Sequence, residues 1–277
     1  MSTRTIILIT VGVVVLALLP CGGCFGLFTF GMVKGMREAA AEIAASKVTV
    51  PAPTGQLVLS QTLDFSDGEQ TMQGSSFLAR TPGGSVVIVT AAHFLDFDGP
   101  ALVRLSAFGE VDVATSTVAF GMPGNAGIDS PAEAVDLRPD YVLLMPESEP
   151  VGATVLEMDD RPLPRRGEKV WMPDAIGALM EPPGELLTGI VDETDQGWIM
   201  IKFDRGQYVE LMGASGGPVI SQRTGKVIGI ISRGGKIEGD DIALLTPAHG
   251  VLKVMRDADR SGERPPLREC VGKDGGE

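Results

Sequence analysis

Three residues of this 277-residue chain have the types and setting needed for acyl transfer: Ser215, His93 and Asp140. Ser215 stands in Gly213-Ala214-Ser215-Gly216-Gly217-Pro218-Val219, a serine among glycines with an apolar stretch behind it. Small neighbours let the backbone turn sharply and let a substrate carbonyl come close. Such a turn can aim the N–H groups of Gly213 and Ser215 at one point, where an oxyanion would be held. A plain glycine-rich turn reads the same, so the motif gains weight only if a base and an orienting carboxylate lie elsewhere in the chain.

Only two histidines exist, His93 and His249. His93 closes Thr90-Ala91-Ala92-His93 after an apolar run, and the two alanines permit close packing behind the imidazole. His249, in Thr246-Pro247-Ala248-His249-Gly250, reads as a solvent-facing residue at a helix start. Asp140 sits at the lip of the apolar run Tyr141-Val142-Leu143-Leu144-Met145. Burial there would let its carboxylate hold the imidazole Nδ1–H, fix the tautomer and stabilise the imidazolium formed during attack. Asp96, Asp98, Asp129 and Asp136 compete for this role, and the strand context favours Asp140. The order His, Asp, Ser is one of the known chain orders for this triad.

Short β-strands must carry these residues. Apolar runs fall at Leu57–Leu59, Ser75–Ala79, Val86–Val89, Ala101–Leu105, Val111–Ala119 and Tyr141–Met145. They continue at Val170–Met172, Leu186–Val191, Trp198–Phe203, Val219–Ile220, Val227–Ile231 and Ile242–Leu245. Glycine, proline and aspartate punctuate them, which argues for a barrel or sandwich. Val251–Met255, after Pro247, reads as a short C-terminal helix, and residues 259–277 as a disordered tail.

The N-terminus has a different character. No charge occurs between Arg4 and Lys34, and the apolar run exceeds the roughly 20 residues that cross a bilayer as a helix. Cys21 and Cys24 lie inside it, so a cleaved signal or a lipid-modified Cys24 are alternatives. Because apolar character continues past Cys24, residues 1–33 are expected to be a retained membrane anchor. Residues 34–56 are then a juxtamembrane helix and a spacer broken at Pro51-Ala52-Pro53, with the folded domain over 57–258.

Composition excludes other classes. A net charge of −13 argues against a nucleic-acid surface. The third cysteine, Cys270, lies in the polar tail, so the domain has no disulfide and no cysteine-based metal site. No metal and no cofactor are expected.

The segments around His93, Asp140 and Ser215 together resemble the three signature segments of the trypsin/chymotrypsin-like serine proteases. Gly74-Ser75-Ser76-Phe77-Leu78 is similar to that family's strand ahead of the histidine, and Gly229-Ile230-Ile231-Ser232-Arg233-Gly234 to the strand that pairs with bound peptide. The resemblance implies two six-stranded antiparallel barrels with the site in the cleft between them and a crossing near Val151–Arg166. It implies His93, Asp140 and Ser215 as catalytic residues and Gly213 and Ser215 as oxyanion donors. Val209, six residues before the serine, and Ser232, Arg233 and Gly234 would contact substrate. Val209 would favour an apolar or small residue before the scissile bond; a one-residue shift would put Glu210 there instead. The anchor and the lack of disulfides make the bacterial HtrA/Deg-like branch the closer relative, without the PDZ domain common there. Ala214 replaces the aspartate that captures a new N-terminus in digestive members, so activation by cleavage is not expected.

The expected function is therefore a membrane-tethered serine endopeptidase. It would face the extracytoplasmic side and act on polypeptides such as unfolded envelope proteins. The alternative is a protein of the same fold that binds a peptide or partner without turning it over.

Overall fold

The computed structural model describes residues 49–65, 68, 70–94, 102–108, 112–120, 140–146, 152–174, 186–195, 197–207, 209 and 211–262. The anchor expected over 1–33, the helix expected after it and the tail from 263 onward lie outside the described residues. No helix among the described residues is long and apolar enough to cross a membrane. All of them belong to one compact unit, Thr49–Glu277.

Thirteen strands are described, and their burial shows why they form. In β10 (Ile199–Phe203) Ile199, Ile201 and Phe203 are buried while Met200 and Lys202 are half-exposed, the period-two alternation of a strand with one face on a core. In β3 (Val86–Thr90) every residue after Val86 is buried, because the strand lies between the inside of its barrel and a second apolar layer.

The first barrel uses β1 (Leu59–Phe65), β2 (Gln70–Arg80), β3, β4 (Leu102–Phe108), β5 (Asp112–Phe120) and β6 (Val142–Pro146). Their order is β1-β4-β5-β6-β3-β2, and pairing of β1 with β2 closes the ring. A short β7 (Val155–Glu157), in the segment expected to be only a crossing, continues the edge of β2 in parallel. The second barrel is closed in the order β10-β13-β12-β11-β8-β9. Its other strands are β8 (Lys169–Pro173), β9 (Leu186–Thr194), β11 (Pro218–Ser221), β12 (Val227–Ile237) and β13 (Asp240–Pro247).

Helix α1 (Ala248–Ser261) follows, running beyond the expected Val251–Met255 and beyond residue 258. Ala248, Val251, Leu252, Met255 and Ala258 recur at helical spacing and bury one stripe against Phe77, Val89, Tyr141, Trp171 and Ile230. The helix thus packs on strands of both barrels. Its far end is fastened too, with Asp259 accepting the backbone N–H of Gly83 at 2.7 Å. His249 is half-buried rather than solvent-facing, and its buried Nδ1 has no hydrogen-bond partner among the described residues.

Two further differences from the expectation have local causes. β12 and β13 extend past Ile231 and back to Asp240, joined at Glu238-Gly239, both with positive φ. Gly234-Gly235-Lys236 carries no apolar alternation, so the strand continues without a hydrophobic signal. At the other end, residues 49–56 are docked on the domain: Val50 N–H donates to the Gln222 carbonyl at 2.8 Å, and Gln56 bridges Ala153.

A buried ionic cluster ties the crossing to the second barrel. The Arg161 guanidinium meets Asp159 at 2.6 Å and Glu168 at 2.8 Å. Thr224 and Ser221 donate to the same two carboxylates at 2.9 and 2.5 Å. Burial alone would raise both carboxyl pKa values, but the hydrogen bonds and charge of Arg161 outweigh it and hold them below the ordinary range. Depressed folded-state values give stability that is present above the unfolded value of about 4 and lost as pH falls through the folded value. Arg161→Met removes the cation and strands two buried carboxylates, a loss of about 3–5 kcal/mol near neutral pH. Its acid unfolding midpoint, followed by circular dichroism, is expected at higher pH than that of the wild type.

Candidate active site

The site is assembled from both barrels. β3 delivers its chain into a single 3₁₀ turn, Ala92–Phe94, with Ala91 and Ala92 fully buried. His93 lies on that turn, and its ring contacts the Phe94 ring at 4.4 Å. Asp140 lies two residues ahead of the start of β6, the neighbour of β3, so adjacent strands bring the two residues together. The His93 N–H donates to Asp140 Oδ1 at 2.9 Å, and His93 Nδ1 meets Oδ2 at 2.6 Å. With Nδ1–H on the carboxylate, Nε2 is left as the free acceptor.

The carboxylate is further held from the second barrel. Ser232 Oγ donates to Asp140 Oδ2 at 2.5 Å, and the Asp140 N–H donates to Thr246 Oγ1 at 2.9 Å. Asp140 is 7% exposed. Burial opposes its ionisation, but the hydrogen bonds and charge of His93, with the Ser232 hydroxyl, keep its pKa below the usual carboxylate range. It is therefore a fixed anion at neutral pH.

Ser215 occupies the turn before β11. Its hydroxyl donates at 3.2 Å to the carbonyl of Ser232, the residue whose side chain also holds Asp140. Gly213 has φ +81°, a conformation that costs a side-chain-bearing residue steric energy. Among the described residues, the N–H groups of Gly213 and Ser215 take no acceptor, whereas those of Ala214, Gly216 and Gly217 bond to Leu211, Ile231 and Ala214. Two backbone donors next to one hydroxyl are thus without an acceptor among the described residues.

The turn is pinned to the first barrel. Ser75 N–H donates to the Ser215 carbonyl at 2.8 Å, Ser75 Oγ to the Gly213 carbonyl at 2.6 Å, and Thr90 Oγ1 to the Ser75 carbonyl at 2.7 Å. Gly216 lies in this contact at φ +87°. A methyl group there would stand 2.1 Å from the Ser75 carbonyl oxygen and 2.5 Å from Thr90 Oγ1. Gly216→Ala must push the barrels apart, so it is expected to destabilise the protein by at least about 2 kcal/mol and to lower its thermal midpoint by several degrees. An unchanged midpoint would show that the turn can yield without moving Ser75.

Of the substrate residues expected from sequence, Ser232 proves to serve differently as well: its hydroxyl orients Asp140 while its carbonyl receives Ser215. Arg233 and Gly234 continue β12 along an exposed edge. Val209 is half-buried against the core of the second barrel together with Leu211, whose Cδ1 would be 2.5 Å from a Cβ on Gly234. Glu210 lies outside the described residues. Thr246, Ser75 and Thr90 escaped the sequence reading, since a hydroxyl residue at a strand end carries no signal of a partner far along the chain. Among the described residues no cluster of His, Cys, Asp and Glu could hold a metal.

The arrangement can perform nucleophilic acyl substitution: an anion fixes a histidine, whose other nitrogen can take a proton, and a serine stands beside two N–H donors that have no acceptor among the described residues. Comparisons with known proteins point the same way. The profile of the trypsin-like peptidase domain matches residues 74–230, more than half of the chain. No curated protein matches the sequence. Among solved structures, the fold is similar to that of kallikrein-related peptidase 10, with a TM-score of 0.50 and 17% identity, covering 73% of this chain and 95% of that one. A serine protease expressed in the limbic system of mouse brain, neuropsin, gives a TM-score of 0.49 and 14% identity over 72% of this chain and 93% of its own.

Proposed function

The chain belongs to the trypsin-like peptidase family and is a serine endopeptidase, and from that premise we propose that it cleaves polypeptides through Ser215, His93 and Asp140. The observation that carries this reading is the doubly bonded His93–Asp140 pair, clamped by Ser232, whose carbonyl also holds the Ser215 hydroxyl. For attack, the Ser215 side chain turns from that carbonyl towards His93 Nε2, a rotamer change of the kind that takes picoseconds to nanoseconds when unhindered. Nε2 takes the hydroxyl proton as Oγ bonds to the substrate carbonyl carbon. The oxyanion is received by the N–H groups of Gly213 and Ser215. Collapse breaks the C–N bond and expels the amine, which takes the proton from His93. A water, deprotonated in turn by His93, then releases the acid and restores Ser215.

Val209 and Leu211 give the region before the nucleophile an apolar character, which supports an apolar or small residue before the scissile bond. A fluorophosphonate probe tests the nucleophile directly: covalent labelling of the full chain at Ser215 is the expected result. A chain that neither labels nor cleaves casein would favour the silent, peptide-binding alternative.

The apolar segment of residues 1–33 supports a membrane tether with the peptidase domain outside the cytoplasm, acting on unfolded envelope polypeptides in the manner of the HtrA/Deg-like branch. Arg4 flanks one end of the segment and Lys34 and Arg37 the other, so charge alone opposes this orientation. An uncleaved export signal and the hazard of a free cytoplasmic peptidase favour it. A phosphatase reporter fused after Lys47, active only once exported, should be active; a silent one would reverse the topology.

A further inference from the structure

The exposed edge of β12 carries a cation, Arg233, one residue from the Ser232 carbonyl that holds the Ser215 hydroxyl. β11 pairs with β12 only as far as Ile230, whereas β13 accompanies β12 to Ile237. From Ser232 onward the other edge of β12 therefore has no strand beside it among the described residues. The register shifts between Ile231 and Arg233, so that Ile231 faces Leu245 while Arg233 faces Leu244. Ile231 and Leu245 lie in the barrel core, as does Ala243 opposite Gly234, and Leu244 does not. Because of that bulge Arg233 points away from the core, on the outer face of the hairpin.

Arg233 is exposed and pairs with no carboxylate among the described residues. The neighbouring cations are committed: Lys236 to Asp241 at 2.7 Å, and Lys202 and Arg205 to Asp240. A peptide whose carbonyl reaches Ser215 must lie beside Ser232, since the Ser215 hydroxyl is 3.2 Å from the Ser232 carbonyl. Adding antiparallel to the β12 edge, it would place its preceding residue opposite Arg233. Directly opposed residues on paired strands share a face with their Cβ atoms about 5 Å apart, close enough for a charge to be felt.

We propose that Arg233 selects acidic substrates: an aspartate or glutamate immediately before the residue whose carbonyl is attacked. This rests on the peptidase reading above and adds to it a charge preference at one substrate position. The chain as a whole carries −13, which disfavours acidic peptides generally, so the informative quantity is how the preference changes with residue 233.

The test uses the full chain in detergent: one portion is labelled with fluorophosphonate to count competent sites, and a separate, unlabelled portion is given a peptide library whose cut sites are mapped by mass spectrometry. Wild type, R233Q and R233E are compared for the ratio of kcat/KM between Asp and Lys at the position before the cleaved residue. An opposed charge pair in water is weak, so a ratio of about five to ten is expected for the wild type. It should shrink towards one in R233Q and at high salt, and invert in R233E. Because the exposed Arg233 side chain makes no hydrogen bond or ion pair among the described residues, both variants should fold, and their probe labelling checks this. A wild-type enzyme that labels and cleaves but prefers Lys at this position, or a ratio unchanged in R233E, overturns the inference and leaves the peptidase reading standing. Absence of labelling in the wild type overturns both.

Discussion

Ser215→Ala should abolish fluorophosphonate labelling and lower kcat on a casein substrate by about 10⁵- to 10⁶-fold. The size of the effect follows from the chemistry. Without Oγ no acyl-enzyme can form, and His93 and Asp140 lose the group they activate. Some acceleration over water should survive, because the N–H donors of Gly213 and residue 215 and the bound geometry of the substrate remain. The fold should be unaffected: the Ser215 hydroxyl makes one bond, to the Ser232 carbonyl, while its backbone carbonyl, untouched by the substitution, holds Ser75. A near-wild-type rate in this variant would move the nucleophile elsewhere.

Asp140→Asn is expected to lower turnover by about 10⁴-fold. An amide at this position presents both a donor and an acceptor to His93, whose backbone N–H and Nδ1 now share the two carboxylate oxygens. If the amide NH₂ faces Nδ1, the imidazole must carry its proton on Nε2, and it can no longer accept one from Ser215. The Ser232 hydroxyl would also lose its anionic acceptor. The measurement is steady-state kcat beside a thermal melt, since a drop in stability alone would not separate the roles. Asp136→Asn, changed in parallel, should have little effect; a large one would reassign the carboxylate.

Much of the strand framework was legible because its signal is local. Val86-Val87-Ile88-Val89 and Ile199–Phe203 announce themselves by burial and alternation, and proline and glycine mark the turns between. Burial of Thr90-Ala91-Ala92 just ahead of His93, and of Asp140 at the head of β6, agrees with the small and apolar residues around them. The bonds that unite the barrels were not legible. Thr246 lies 106 residues from Asp140, and Ser75 lies 138 from Gly213, so nothing near either hydroxyl hints at its partner. β12 hid its length for another reason: Gly234 and Gly235 contribute no side chain to read. Nothing in the sequence marks Asp159, Arg161 and Glu168 as a cluster, because burial of a charged residue is decided by its neighbours in space.

The origin of the Asp140 contacts bears on synthesis. His93 and Asp140 leave the ribosome well before Ser215, and the two hydroxyls that steady Asp140 come later still, from β12 and β13. Domains generally fold as units, and both barrels here belong to one compact unit. A nascent chain that has released only its first half therefore carries a histidine and an aspartate without Ser215, and without Ser232 and Thr246 to steady the carboxylate. On the triad proposed above, proteolytic competence arrives only with the last hairpin, so an unfinished copy should be harmless to the polypeptides around it.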